Sequence, residues 1–437
     1  MCGSNVAKAL QRALIAQAAG AFTLAGRFWS RPIRGKIIFV QQRKLAVVVS
    51  HPIQYYVPVL RALAGSKLVD LRAFYTWSQA ADGKLFDAGF DTMLTWDIPL
   101  TQGYAYQFVA NVADRPGPEH FGGIKNPALI REIETWGADA VLVYGWFHES
   151  HLRALRYFKG RIPVLFRGDS TLLDSKTWWR NALRRAFLWW VYRHVDVAIA
   201  VGSNSEDYFA WCGIPRSRIA VAPHSIDTVR FGETSAGSQS RADEWRQSLG
   251  IKAEAIVFLY AGKFQRKKDP LLLLEAFESL ASGPQQLVFL GSGELEAELK
   301  ARAGARPDVH FLPFQNQSAM PAVYRLGDVF VLPSRGPGET WGLALNEALA
   351  SGRAVIASSK VGGARDLIQQ GENGWSFAAG DEAALAAVLR AAVGLGRDGL
   401  ARMGMIGQQR SPRWSSEESA RCIEAAVEGC FNGRYRV

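Results

Sequence analysis

From Leu45 onward, short uninterrupted apolar runs alternate with longer stretches in which apolar residues recur at helical spacing. In the first half the runs Leu45–Val49, Leu68–Tyr75, Ala140–Tyr144, Pro163–Arg167, Val197–Val201 and Ile219–Ala222 predict buried strands. In the second half Ile256–Tyr260, Leu287–Leu290, Val309–Leu312, Val329–Leu332 and Ala354–Ala357 do the same, with helices predicted over Pro270–Ser282 and Glu294–Ala303. Strands that are apolar throughout need helices on both faces, so the pattern predicts α/β architecture with two parallel, doubly wound sheets. The polar, small-residue stretch Gly232–Ala242 (GETSAGSQSRA) divides the halves and is read as a flexible connection. The domains are therefore set at 45–231 and 243–410, with 411–437 a closing helix that crosses back to the first domain.

The size of the chain, 437 residues, agrees with two domains. The four cysteines are scattered with no C-x-x-C pair, which suggests neither a disulfide framework nor a cysteine-built metal site and makes a reducing cytoplasm the simplest home. A formal charge of +11 points first to nucleic acid, but residues 1–44 hold eight basic side chains and no acid, leaving a surplus of only three on the rest. That leader reads as an amphipathic helix drawn to anionic lipid, as an unstructured tail, or as the product of an upstream start codon. Its apolar run Ala13–Ala25 is too short to span a bilayer, and no later segment is long enough. Residues 177–194 (TWWRNALRRAFLWWVYRH) interleave aromatics and arginines at helical spacing, so they form either a packed core helix or a surface that meets a membrane or a lipid-linked acceptor.

The chemistry concentrates in the second half. In Asp328–Ser359 a strand ends in a loop, Glu339 precedes a glycine that opens a helix, and Glu347 lies within that helix about two turns on. Two carboxylates at that separation can accept from the hydroxyls of a sugar ring and of a ribose, while the amides near Trp341, Gly342 and Leu343 meet a diphosphate at the helix amino terminus. After Ile256–Tyr260 comes AGKFQRKKDP, a turn with Lys263, Arg266, Lys267 and Lys268, cations suited to a diphosphate and to the charge it gains as a glycosidic bond breaks. The alternative for each residue is a solvated basic loop or a first-turn acid; their joint occurrence favours the site.

These segments resemble the retaining glycosyltransferases of family 4, which have the GT-B fold. The resemblance covers residues 255–375: the basic pair Lys263 and Lys268, the paired Glu339 and Glu347, LGSGE at 290–294, FLPF at 311–314, and VGGARDLI at 361–368, with Asp366 where a glutamate is frequent. It implies that Glu339 contacts donor-sugar hydroxyls, Glu347 the ribose, and Lys263 and Lys268 the phosphates, within a donor site that also takes in Gly262, Gly291, Pro313, Phe314, Trp341, Gly342 and Leu343. In the first half YGWFHES (144–150) is similar to the segment where the family places an active-site histidine, which implies His148; capping of the next helix is the plainer reading. Arg167 and Asp169, in RGDS after a buried strand, are read as acceptor-side residues. The expected reaction is transfer of a hexose-type sugar from a nucleoside diphosphate sugar to a hydroxyl acceptor, in cell-surface polysaccharide or glycolipid synthesis. No cofactor or metal is expected, since there is no Asp-x-Asp or His/Cys cluster and the lysines can neutralise the departing diphosphate. A sugar phosphorylase, a sugar-nucleotide epimerase, or a nucleotide- or nucleic-acid-binding protein are the rival classes.

Overall fold

The structure is a computed structural model that describes residues 42–80, 84–87, 92–174, 177–232 and 236–435. The leader reading therefore lies outside the described residues, except that Arg43 and Lys44, counted with the leader in the sequence, open the first strand. Lys44 is fixed there, its backbone N–H donating to Asp139 at 2.8 Å and its ammonium to the Trp136 carbonyl at 3.1 Å.

In chain order the first half carries β1 (Arg43–Val49), β2 (Val69–Tyr75), β3 (Lys84–Asp87), β4 (Thr92–Thr95), β5 (Ala105–Phe108), β6 (Ala140–Tyr144), β7 (Val164–Gly168), β8 (Val197–Ala200) and β9 (Ile219–Val221). Seven of these form a parallel sheet in the order β5-β2-β1-β6-β7-β8-β9, and β3 and β4 pair as an antiparallel hairpin. The second half carries β10 (Val257–Ala261), β11 (Gln286–Leu290), β12 (Val309–Leu312), β13 (Val329–Leu332), β14 (Ala354–Ser358) and β15 (Gly374–Phe377), a parallel sheet ordered β12-β11-β10-β13-β14-β15. Both sheets are doubly wound, as the apolar runs predict. The runs missed β5 and β15, edge strands whose exposed or mixed positions give no continuous apolar signal, and the short β3–β4 hairpin.

In each sheet the winding reverses beside the first strand, between β1 and β6 and between β10 and β13. At such a switch point the loops leaving the two strands diverge and open a crevice at their carboxyl ends. Each sheet is packed on both faces by apolar side chains from its helices. The stretch 232–242, read as a flexible connection, is helical from Ala236 onward, because the segment Ala236–Ser248 carries buried Ala242 and Arg246 against the second sheet's helices. The helix Glu382–Arg410 breaks at Gly396, where φ is 65°. After the turn at Ser411–Trp414, the helix Ser416–Phe431 places Ala420, Ile423, Ala426 and Val427 in the core of the first sheet beside Val59, Leu60 and Leu63.

Asp328, buried at the foot of β13, holds three parts of the second domain together. Its carboxylate accepts from the Val257 N–H of β10 at 2.8 Å, from Arg246 of the helix Ala236–Ser248, and from Arg397 at 3.2 Å. Removing one member of such a buried group strands the others without partners. Asp328→Ala should lower the free energy of unfolding by about 3 kcal/mol in a denaturant titration, whereas a loss below about 1 kcal/mol would mean that the network carries no such weight.

Candidate functional site

The loops leaving β10 and β13 flank the second switch point. The first runs from Gly262 to Asp269 and is held by the glycine-rich loop after β11: Phe264 donates to the Ser292 carbonyl at 2.8 Å, and Gly262 to Leu290 at 3.0 Å. Gly291, with φ of 140°, lies so close that a Cβ there would stand 2.0 Å from the Gly262 carbonyl oxygen, so no other residue fits. The loop after β13 is longer, contains a cis Gly336–Pro337 bond, and is stitched to the first: Arg335 donates through Nε to Asp269 at 2.7 Å and through its backbone to the Lys267 carbonyl at 3.0 Å. This stitching places the Lys268 ammonium against the Glu339 carboxylate as an ion pair, and Ser334 Oγ donates to the same Glu339 oxygen at 3.0 Å.

Glu339 sits in the loop and Glu347 in the helix Leu343–Ala350 that follows. Gly342 turns the chain into that helix at φ of 88°, where a Cβ would meet Val361 at 2.6 Å. Glu347 is 2% exposed. Its Oε2 accepts from the Tyr324 hydroxyl at 2.6 Å, and Tyr55 of the first domain lies against it. Oε1 has no hydrogen-bond partner among the described residues. Burial raises the pKa of this carboxyl group, with the Tyr324 hydroxyl, the nearby Arg230 and the Tyr55 hydroxyl opposing.

These groups converge on one cleft of about 360 Å³. Gly262, Lys263, Lys268, Gly291, Phe314, Glu339, Gly342, Leu343 and Glu347 all line it, with Lys267 and Tyr324. The first domain contributes Gln54, Tyr55 and Trp96. Two residues of the sequence-based donor set do not reach the cavity: Pro313, and Trp341, whose ring packs on Gly363 and Gly202 while its indole N–H donates to Asn346 at 2.8 Å. Tyr55, Trp96 and Tyr324 were not foreseen; the one available signal was Tyr324, the single hydroxyl in the helix Met320–Leu326, which needs a partner when buried.

His148 does not line this cleft. It occupies the position before the helix Glu149–Phe158 without capping it through its side chain, and its ring lies 5.2 Å from that of His151. Burial and the neighbouring His120 lower its pKa against the opposing pull of Glu119, and its Nδ1 is buried without a partner. His151 is structural: its Nδ1 faces the carbonyls of Tyr144 and Gly145 at 3.1 Å, its Nε2 faces Thr76 Oγ1 at 2.8 Å, and burial takes its pKa down to about 4.

Arg167 and Asp169 lie elsewhere again, in a recess of about 150 Å³ at the first switch point with Tyr56, Tyr144 and His224. The Arg167 guanidinium donates to the carbonyls of Ala222 (2.9 Å) and Pro223 (3.1 Å). Asp169 accepts from Thr340 Oγ1 of the second domain at 2.7 Å, beside Glu339. Asp366 likewise faces the first domain, accepting from the Ser203 N–H at 3.1 Å at the start of the helix Ser203–Trp211, while Asn204 donates to the Gly362 carbonyl at 2.8 Å.

Two parallel doubly wound domains facing each other across a cleft, with cations and carboxylates on the second, define the GT-B class. Residues 241–408 match the family "Glycosyl transferases group 1" and residues 97–230 match "Glycosyltransferase Family 4", and the chain belongs to these glycosyltransferases. D-inositol 3-phosphate glycosyltransferase of Xylanimonas cellulosilytica is 31% identical over 225 residues, 50% of this chain and 52% of that protein. Its counterpart in Geodermatophilus obscurus is 35% identical over 193 residues, 41% of each chain. The chain thus matches about half the length of these relatives or less. Among solved structures, Anabaena HepE in complex with UDP superposes with a TM-score of 0.66 over 89% of this chain and 100% of that one at 16% identity. WaaG, a glycosyltransferase involved in lipopolysaccharide biosynthesis, gives 0.60 over 88% and 100% at 15% identity. At these identities the likeness shows the fold.

The buried Glu347 yields a stability prediction. A carboxyl whose folded pKa is raised costs stability once it ionises: the cost is absent below the ordinary carboxylate range and grows as pH climbs through it to the raised value. Glu347→Gln should therefore unfold at a higher temperature than the wild type at pH 7 without ligand, with the gap closing on acidification toward pH 4. A variant less stable than the wild type at both pH values would contradict it.

Proposed function

We propose that the chain is a retaining glycosyltransferase that moves a hexose-type sugar from a nucleoside diphosphate sugar to a hydroxyl acceptor of a cell-surface polysaccharide or glycolipid. The observation that carries this reading is the convergence of Lys263, Lys268, Glu339 and Glu347 on one cleft at the switch point of the second sheet. Family membership supports the reaction and its retention of anomeric configuration, and the binding of UDP by HepE, whose fold this chain shares, supports a nucleotide donor.

In this reading the ribose hydroxyls donate to Glu347, whose Oε1 lacks a partner among the described residues. The diphosphate lies between the cation loop and the backbone amides of Gly342–Ala344, where a helix amino terminus adds positive potential. Lys268 leaves Glu339 for the phosphate, which frees Glu339 to accept from the sugar's hydroxyls. As the glycosidic bond lengthens, negative charge builds on the leaving diphosphate, and the lysines stabilise it in a site that excludes bulk water. Charge neutralisation by lysine makes a divalent metal unnecessary, and no cofactor is invoked. His148, held neutral at pH 7 by its lowered pKa, is assigned to the reacting centre on closure of the first domain, and Asp169 and Arg167 to the acceptor side.

A thermal-shift series with UDP, GDP and ADP tests the donor site without knowledge of the acceptor, because a specific ligand stabilises only the folded state. One diphosphate should raise the unfolding temperature of the wild type, and Lys268→Ala and Glu347→Ala should lose most of that shift while keeping the same circular dichroism spectrum. In a transfer assay each variant should fall about 100-fold in turnover. Unchanged turnover in both would remove the site assignment.

A further inference from the structure

The helix Trp178–Tyr192 is apolar on both sides. Inward, Leu188, Val191 and Tyr192 pack in the core of the first sheet. Outward, Trp178 is 82%, Leu183 66% and Trp189 56% exposed, and Trp179 and Phe187 are exposed with them. A surface helix ordinarily turns charged residues to water, and an apolar outer face marks a surface that something covers. The face extends beyond the helix: Phe187 meets Trp146 edge-on at 5.4 Å, and Trp146 adjoins the exposed Phe147 in the loop after β6.

Charge says what covers it. The helix contains Arg180, Arg184 and Arg185 and no Asp or Glu, and Arg193 follows at its end. Arg180 stacks on Trp179, with the guanidinium 5.1 Å from the ring, and Arg185 on Trp211 at 6.0 Å, so the cations border the apolar strip without crossing it. Tryptophan with arginine is the combination suited to a lipid–water boundary, where the ring bodies enter the acyl region and the guanidinium groups stay among the phosphates. No described helix is long and apolar enough to cross a membrane, so contact here is with its surface. We infer that this helix, with Trp146 and Phe147, docks the first domain on an anionic bilayer, independently of the donor assigned to the second domain.

The test is flotation of the full chain with vesicles of phosphatidylcholine, with and without phosphatidylglycerol. The wild type should float with the anionic vesicles and be released as salt rises. The triple substitution Trp178→Glu, Trp179→Glu, Leu183→Glu should cut the bound fraction roughly tenfold. The side chains at 178 and 183 lie largely in solvent, so unfolding temperature and the nucleoside diphosphate thermal shift should stay as in the wild type. Arg180→Gln with Arg185→Gln should weaken the preference for anionic over neutral vesicles. The inference is overturned if the triple variant floats as well as the wild type, which would assign binding to another segment such as residues 1–41. It is overturned equally if the wild type ignores anionic vesicles, or forms a dimer that the triple variant breaks.

Discussion

The contact between Lys268 and Glu339 spans the switch point of the second sheet, and the rest of the site is arranged around it. It brings together two loops that leave neighbouring strands in opposite directions, a divergence imposed by the strand order β12-β11-β10-β13-β14-β15. Glycines allow the close approach: Gly291 against Gly262 behind the cations, and Gly342 against Val361 where the helix bearing Glu347 begins. An ion pair between partly buried groups is balanced between Coulomb attraction and lost hydration. A polyanionic, hydroxyl-rich ligand offers each partner a replacement, so the pair can hold the cleft in shape and still yield.

Glu347 supplies the complementary constraint. A carboxylate buried with one oxygen satisfied and the other bare costs the fold free energy, and such groups persist where a ligand completes them. Tyr324 and Tyr55 approach it from different domains, which makes the first domain part of the cleft. The domains also meet through Asp366 with Ser203, Asn204 with Gly362, and Asp169 with Thr340. The last of these links the recess at the first switch point to the residue after Glu339, so the two cavities share one hydrogen bond.

Much of this was legible in the sequence, because buried parallel strands are written as continuous apolar runs: Val309–Leu312 and Val329–Leu332 coincide with β12 and β13. The positions of Glu339 in a loop and Glu347 in a helix followed from the strand–loop–glycine–helix pattern. The edge strands β5 and β15 were silent, since half-exposed strands do not repeat one hydropathy. Tyr55 and Trp96 could not be placed, because their role arises only when distant segments meet. Trp341 stays off the cleft, which its neighbours Gly342 and Leu343 line, because its ring fills the space against Gly202. The aromatic helix Trp178–Tyr192 left core and surface open in the sequence; the structure shows it doing both, one face each.

The most direct measurement is a crystal structure of the full chain with a non-transferable nucleoside diphosphate sugar. The account predicts ribose hydroxyls donating to Glu347 Oε1, the diphosphate between Lys263 and Lys268, and the Lys268–Glu339 pair opened by the ligand. A nucleotide bound outside this cleft, with Glu347 still lacking a partner and the ion pair intact, would contradict it.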